Sequence, residues 1–135
     1  MLTWEPGEIS DDELLIRRFR NSDKLYKLNG TVARTIFQNR DGSYDKECSV
    51  YAHAKIRRDM EWCAGPIYFS MAAFGFMAGV PRAEGARVCH TPDPDNDAYS
   101  HTSMFQINDL GADAMVEDGD VLKHLPLCRK NVPDS

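Results

Sequence analysis

Hydrophobic and polar positions change their spacing several times along the chain, and each change predicts a different element. Residues 10–19 read SDDELLIRRF. Ser10 and Glu13 have the spacing of a capping box, which favours a helix, whereas the apolar run from Leu14 to Phe19 also fits a strand. Both alternatives stay open here, because periodicity does not resolve a short apolar run.

The clearest local signal is a pair of β-prone runs on either side of Asn29-Gly30, which read LYKL and TVARTIF. Both central residues of a type I′ turn take positive φ, which Asn and Gly tolerate. The pattern therefore predicts an antiparallel hairpin over residues 25–37. A second turn at Asp41-Gly42 leads into CSVYA, residues 48–52, and extends the hairpin into a small antiparallel meander.

The most apolar stretch runs from Cys63 to Val80 and reads CAGPIYFSMAAFGFMAGV, without a charged side chain. It predicts a buried central helix over residues 66–78, with Gly65-Pro66 at its start and with Gly79 and Pro81 at its end. The stretch also has the Gly-x-x-x-Gly spacing of packed membrane helices, but it is short for a membrane span and is interrupted by proline and glycine. A helix in the core of a soluble protein is the preferred interpretation.

Alternation and turn residues predict further elements in the C-terminal half. ARVCH, residues 86–90, ends at a Thr-Pro-Asp-Pro turn and fits a short strand. HTSMFQI, residues 101–107, alternates as a strand with His101 and Ser103 on one face. Residues 112–125 favour a helix that is interrupted by a glycine.

Composition agrees with one folded domain. The chain has 135 residues, of which 42% are hydrophobic and 27% charged, and these values are near those of globular domains. The sequence has no internal repeat and no long linker. Residues 1–135 are therefore expected to form a single α+β domain, an antiparallel meander packed on a buried central helix.

Charge narrows the choice of partners. Sixteen Lys and Arg against twenty-one Asp and Glu give a net charge of −5, which argues against nucleic-acid binding through phosphates. Residues 91–120 hold eight acidic residues and no Lys or Arg. The expected partner is a protein with a basic surface, docked on an acidic face that includes Asp93, Asp95 and Asp97, since complementary potentials steer association. A membrane partner is not expected, and the oligomeric state stays open.

The cysteines and the first residues bear on the compartment. Cys48, Cys63, Cys89 and Cys128 form no C-x-x-C pair, so neither a zinc ribbon nor a redox loop is predicted. No basic region followed by an apolar run precedes Leu14, so no signal peptide is predicted. Buried free thiols in a cytoplasmic protein are the expectation.

Two patterns point toward a metal site, and both are incomplete. Asp93, Asp95 and Asp97 match the first ligand positions of a calcium loop, but the glycine and the final glutamate of that loop are missing. His90 and His101 end two predicted strands and share a site only if those strands pair as a long hairpin. No metal is therefore assigned, and no cofactor is identified.

The order of several short motifs resembles a group of short uncharacterised bacterial proteins. The motifs are Arg17-Arg18 beside hydrophobic residues, an aromatic residue that ends a strand, Ser49-Val50, and Ser100-His101 after a V-x-x-x-P segment. The resemblance implies no activity and no cofactor. The preferred interpretation is a non-enzymatic interaction or accessory protein, a component of a bacterial multi-protein system.

A small enzyme is the alternative. The chain is also similar to the ADP-ribosyltransferase class, in which an arginine on an early strand and a serine on a later strand help to hold NAD. That similarity gives these parts to Arg17 or Arg18 and to Ser49, whereas the catalytic acid of the class has no match. In this alternative Arg17, Ser49 and His101 converge on one pocket and are the candidate catalytic residues.

Overall fold

The computed structural model describes residues 5–20, 32–39, 41–56, 71–96 and 98–122. Its strands are β1 (Leu14–Arg20), β2 (Cys48–Ala52), β3 (Met71–Met77), β4 (Arg87–His90), β5 (His101–Phe105) and β6 (Asp120–Val121). Its α-helices are α1 (Gly79–Ala83) and α2 (Asp109–Asp118), and short 3₁₀ helices lie at Arg34–Phe37, His53–Lys55 and Pro94–Asn96. Over this part of the chain the strands form one antiparallel sheet in the order β4-β5-β2-β1-β3-β6.

The α+β class is confirmed, and so are several of the predicted elements. The strands expected at residues 48–52, 86–90 and 101–107 form as β2, β4 and β5, although β5 ends at Phe105, before Gln106 with its φ of 64°. The turn at Asp41-Gly42 also forms, with Gly42 at a φ of +85° and its N–H donated to the Asn39 carbonyl over 3.0 Å. Of the two alternatives for the segment after Glu13, the strand is right, because that segment is β1.

The central helix predicted over residues 66–78 is wrong where the structure describes it, because Met71–Met77 is strand β3. This strand pairs with β1 along its whole length and with β6 on its other side. A strand with both edges paired and both faces packed is apolar throughout, so its sequence loses the alternation that identifies half-exposed strands. Residues 66–70 lie outside the described residues. None of the described helices is both long and apolar enough to cross a membrane.

The second arm of the predicted hairpin is also wrong in part, because Arg34–Phe37 is a 3₁₀ helix. Ile36 and Phe37 are neighbours in sequence, and both are buried in the same core. Successive side chains of a strand point to opposite faces, so only a helical turn buries both. The turn at Asn29-Gly30 and the first arm lie outside the described residues.

The sheet has two different faces. The inner face packs with α2 and the Arg34–Phe37 helix in one hydrophobic core, to which the strands contribute Leu15, Phe19, Val50, Phe74, Phe76, Val88 and Met104. The ring of Phe37 meets Phe74 and Phe76 edge-on, at centroid distances of 6.3 and 5.6 Å. By strand alternation and register, the outer face carries Ile16, Arg18, Ser49, Tyr51, Cys89, His101 and Ser103.

Helix α2 starts earlier and ends earlier than residues 112–125. The Asn108 side chain accepts the N–H of Gly111 at 2.8 Å and caps the first turn. After Asp118, Gly119 leads directly into β6. A Cβ added at Gly119 would lie 2.4 Å from the Gly75 carbonyl oxygen and 2.7 Å from the Phe74 ring, so this crossing against β3 requires glycine.

Candidate functional site

Ser49 and His101 meet on the outer face of the sheet. Ser49 lies on β2 and His101 begins β5, and the two strands are paired with Ser49 opposite Ser103 and Tyr51 opposite His101. The Ser49 hydroxyl and the His101 Nε2 are 3.1 Å apart, and both side chains are half-buried. Two of the three residues predicted to share a pocket are therefore in hydrogen-bond contact.

Three further side chains extend this contact away from Ser49. The His101 Nδ1 lies 2.7 Å from the carbonyl oxygen of Thr91 and 3.0 Å from its hydroxyl. The Thr91 hydroxyl is 2.5 Å from that of Ser103, which donates to a carboxylate oxygen of Glu47. The alternation of residues 101–107 already placed Ser103 beside His101, but no sequence signal identified Thr91 or Glu47.

Arg17 does not join this pair, and its predicted place in a shared pocket is wrong. In the β1–β3 register Arg17 lies opposite Phe74, on the inner face. Its Nε donates to the carbonyl of Ile36 at 3.1 Å and its Nη1 to the backbone carbonyl of Ser49 at 2.7 Å. Both contacts are to the backbone, so Arg17 holds the Arg34–Phe37 helix and β2 in place. Arg17 is therefore not on the outer face for the part that the ADP-ribosyltransferase similarity gives to Arg17 or Arg18, and a part for Arg18 stays a prediction.

Arg18 lies on the outer face instead. Its Nη2 donates to the Tyr51 hydroxyl at 2.8 Å, and its guanidinium carbon lies 4.8 Å from the centre of that ring. The Tyr51 ring in turn meets the imidazole of His101 edge-on at 6.0 Å. The environment of His101 is therefore aromatic on one side and hydrogen-bonded on the other.

His90 and His101 do not converge on a metal. They occupy the two faces of the sheet, because His90 pairs with Thr102, the neighbour of His101. The buried His90 accepts the N–H of Gly7 at its Nδ1 over 2.7 Å, and its Nε2 lies 2.6 Å from the Tyr99 carbonyl. These two contacts join the segment before β1 to the loop after β4. Among the residues that the structure describes, no group of three or more His, Cys, Asp or Glu is placed to hold a metal ion.

The two cysteines in the described ranges are both free but differ in environment. Cys48 is buried on the inner face, and this burial raises the pKa of its thiol. Cys89 is exposed on β4, so the expectation of a buried thiol is wrong there. Cys63 and Cys128 lie outside the described residues.

The acidic residues expected at a docking face are only partly described. Asp93 exchanges two backbone hydrogen bonds with Ala98, each of 2.9 Å, which close the loop between β4 and β5. Asp95 is exposed in the 3₁₀ turn, and Asp97 lies outside the described residues. A part for these three residues in partner binding stays a prediction.

The acids at the start of α2 have structural partners. Arg34 forms ion pairs with Asp109 at 3.0 Å and with Asp113 at 2.8 Å. The Tyr44 hydroxyl also lies 2.6 Å from Asp109, and this hydrogen bond, helped by Arg34, holds the pKa of the Asp109 carboxyl below its usual value. These contacts fasten the start of α2 to the segment before β2.

The other end of α2 borders a groove. The groove lies between α1 and α2 and has a volume of about 580 Å³. Its apolar side is formed by Val80, Ala83 and Ala114. Glu84 lies at one rim, and Glu117 and Asp118 lie at the other, all three exposed. Among the described residues that line the groove, none is basic.

Comparison with known proteins adds no relative. No family model, no curated protein and no solved structure matches the chain.

Proposed function

We infer that the protein binds a basic, partly apolar segment of a protein partner in the groove between α1 and α2. The observation that carries this proposal is the composition of the groove, an apolar side between carboxylates at the C-terminal ends of α1 and α2. Such binding suits an accessory protein of a bacterial, cytoplasmic multi-protein system, which is the interpretation that the sequence favours.

The charge distribution supports a basic occupant. Glu84, directly after α1, and Glu117 and Asp118, at the end of α2, place negative charge on both sides of the apolar strip. Lysine or arginine side chains of an amphipathic helix can reach these rims while its apolar side chains contact Val80 and Ala114. The occupant proposed is therefore an amphipathic basic helix.

Helix stability does not account for the acids at this end of α2. Carbonyl groups at a helix C-terminus carry partial negative charge, so carboxylates there are unfavourable. The last turn of α2 nevertheless contains Glu117 and Asp118, and it contains no basic residue. Contact with a basic partner would give these two carboxylates favourable electrostatic interactions.

The test compares two variants that each remove three carboxylates. The groove variant carries Glu84→Gln, Glu117→Gln and Asp118→Asn, and the control variant carries Asn at Asp93, Asp95 and Asp97. The probe is a fluorescent amphipathic helical peptide of leucine and lysine, titrated by anisotropy at low and high salt, with its glutamate analogue as the negative control.

The wild type and the control variant are expected to bind the lysine peptide, with affinity that weakens as salt rises. The groove variant is expected to bind roughly tenfold more weakly, which corresponds to about 1.4 kcal/mol. If both variants lose the same affinity for the peptide, net charge alone explains the binding, and the proposed groove is contradicted. Loss in the control variant alone moves the contact to the loop between β4 and β5, and unchanged binding in both removes the proposal.

A further inference from the structure

The hydrogen bonds around His101 have a definite direction. The Thr91 carbonyl, 2.7 Å from Nδ1, can only accept. Nδ1 therefore carries the proton of a neutral imidazole, and Nε2 is left as an acceptor. The Ser49 hydroxyl, 3.1 Å from Nε2, consequently donates its proton to that nitrogen.

The hydroxyl chain beyond His101 agrees with this direction. The exposed Glu47 carboxylate accepts from the Ser103 hydroxyl, which leaves the Ser103 oxygen free to accept from Thr91. The Thr91 oxygen can then accept from Nδ1, at 3.0 Å, beside the carbonyl of the same residue. Every donor from Ser49 onward thus points toward the Glu47 carboxylate, which is the final acceptor of the chain.

We propose that Ser49 is the nucleophile, and His101 the general base, of an acyl-transfer site on the outer face of the sheet. The parts match those that such sites need: a hydroxyl hydrogen-bonded to a base, and a third group that orients the base. Thr91, Ser103 and Glu47 are positioning residues. This activity is independent of docking in the α1–α2 groove.

The substrate class is a small carboxylic ester. Ser49 Oγ attacks the ester carbonyl carbon while its proton moves to His101 Nε2. The bond from that carbon to the alkoxy oxygen then breaks, and the departing oxygen takes the proton from the imidazolium. Water, deprotonated by His101, attacks the acyl group on Ser49, and the return of a proton to Ser49 releases the carboxylic acid.

The first experiment uses a fluorophosphonate probe, which reacts with activated serine hydroxyls, together with p-nitrophenyl acetate. The folded wild type is expected to gain one adduct, located on Ser49 by peptide mass mapping, and to release p-nitrophenol. Ser49→Ala should abolish both signals, and His101→Gln should slow them by about 100-fold or more, as expected for loss of a general base. Ser43→Ala is the matched control, because the Ser43 hydroxyl also donates a hydrogen bond, but to the Asp41 carboxylate in an exposed turn and not to an imidazole. It should leave both signals unchanged.

A second experiment tests the positioning residues by a measurement that separates an effect on His101 from a change in folding. Thr91→Val removes the hydroxyl contact to Nδ1 and keeps the carbonyl contact. It is expected to lower the labelling rate several-fold and to shift the acid limb of the pH–rate profile, with circular dichroism unchanged. A wild-type protein that is not labelled on Ser49, or a His101→Gln variant labelled at the wild-type rate, overturns the proposal.

Discussion

Replacing Gly119 by alanine is expected to destabilise the protein by forcing β6 away from β3. Gly119 has φ −91° and ψ −178°, an extended backbone that any residue adopts, so the cost is steric alone. The added Cβ would lie 2.4 Å from the Gly75 carbonyl oxygen and 2.7 Å from two ring atoms of Phe74. Ordinary contacts of a Cβ begin at 3.4 Å, so about 1 Å of separation is needed in a packed region that resists such shifts.

Two costs add up in this variant. Overpacking in a well-packed core costs about 1–3 kcal/mol. Moving β6 also weakens its pairing with β3, in which Val121 lies opposite Phe74 and Asp120 opposite Gly75, at about 1 kcal/mol per hydrogen bond lost. The expected total is about 2–4 kcal/mol, against a total stability of about 5–15 kcal/mol for a domain.

Urea unfolding followed by circular dichroism measures this loss, and Gly111→Ala in α2 is the matched control. A Cβ at Gly111 would meet Asn108 Oδ1 at 3.5 Å and Glu84 Cβ at 3.6 Å, which are ordinary contacts. Alanine at a helical position is expected to stabilise by about 0.5–1 kcal/mol, so the two substitutions should have opposite signs. A Gly119→Ala variant within about 0.5 kcal/mol of the wild type would refute the close approach of Gly119 to β3.

Three further predictions concern single residues. His90→Phe removes both ring hydrogen bonds and should lower the free energy of unfolding by about 1–3 kcal/mol. It should also speed proteolysis in the segment before β1, and an unchanged cleavage rate contradicts the contact of His90 with that segment. Arg17→Met removes two charged hydrogen bonds to backbone carbonyls and should lower the free energy of unfolding in urea by about 2–3 kcal/mol. An unchanged free energy of unfolding contradicts the structural part assigned to Arg17. Tyr44→Phe removes the hydrogen bond that lowers the pKa of Asp109, a bond whose stabilisation is present above the unfolded-state pKa and is lost as pH falls through the folded-state pKa. The difference in unfolding free energy between this variant and the wild type should therefore shrink from neutral to strongly acidic pH, and a constant difference contradicts the linkage.

Sequence reasoning succeeds where one face of an element is polar. The turn at Asp41-Gly42 predicts β2 with its observed bounds, Cys48–Ala52, and in the structure buried Cys48 and Val50 alternate with half-buried Ser49 and Tyr51. It fails at Met71–Met77, where pairing on both sides removes the alternation and a helix fits the apolar run equally well.

The candidate site shows the same limit. Ser49 and His101 were grouped correctly in space, and the geometry now shows a direct contact. Arg17 was misplaced, because its neighbour Arg18 has the same charge and only the register of β1 decides which guanidinium faces the outer side. Glu47 and Thr91 have no motif of their own, since they reach His101 only through tertiary contacts.

The order of strands in the sheet has a consequence for how the chain is made. β1 is synthesised before the other described strands, yet it is an interior strand whose partners come much later, with Leu15 pairing to Ala52 and Leu14 to Met77. Such distant pairings slow folding, because the ends of long loops must meet before any contact forms. During that interval MAAFGFM, the apolar sequence of β3, is available to pair with other chains. The yield of native protein should therefore depend more on concentration and on chaperones during synthesis than on the stability of the finished fold.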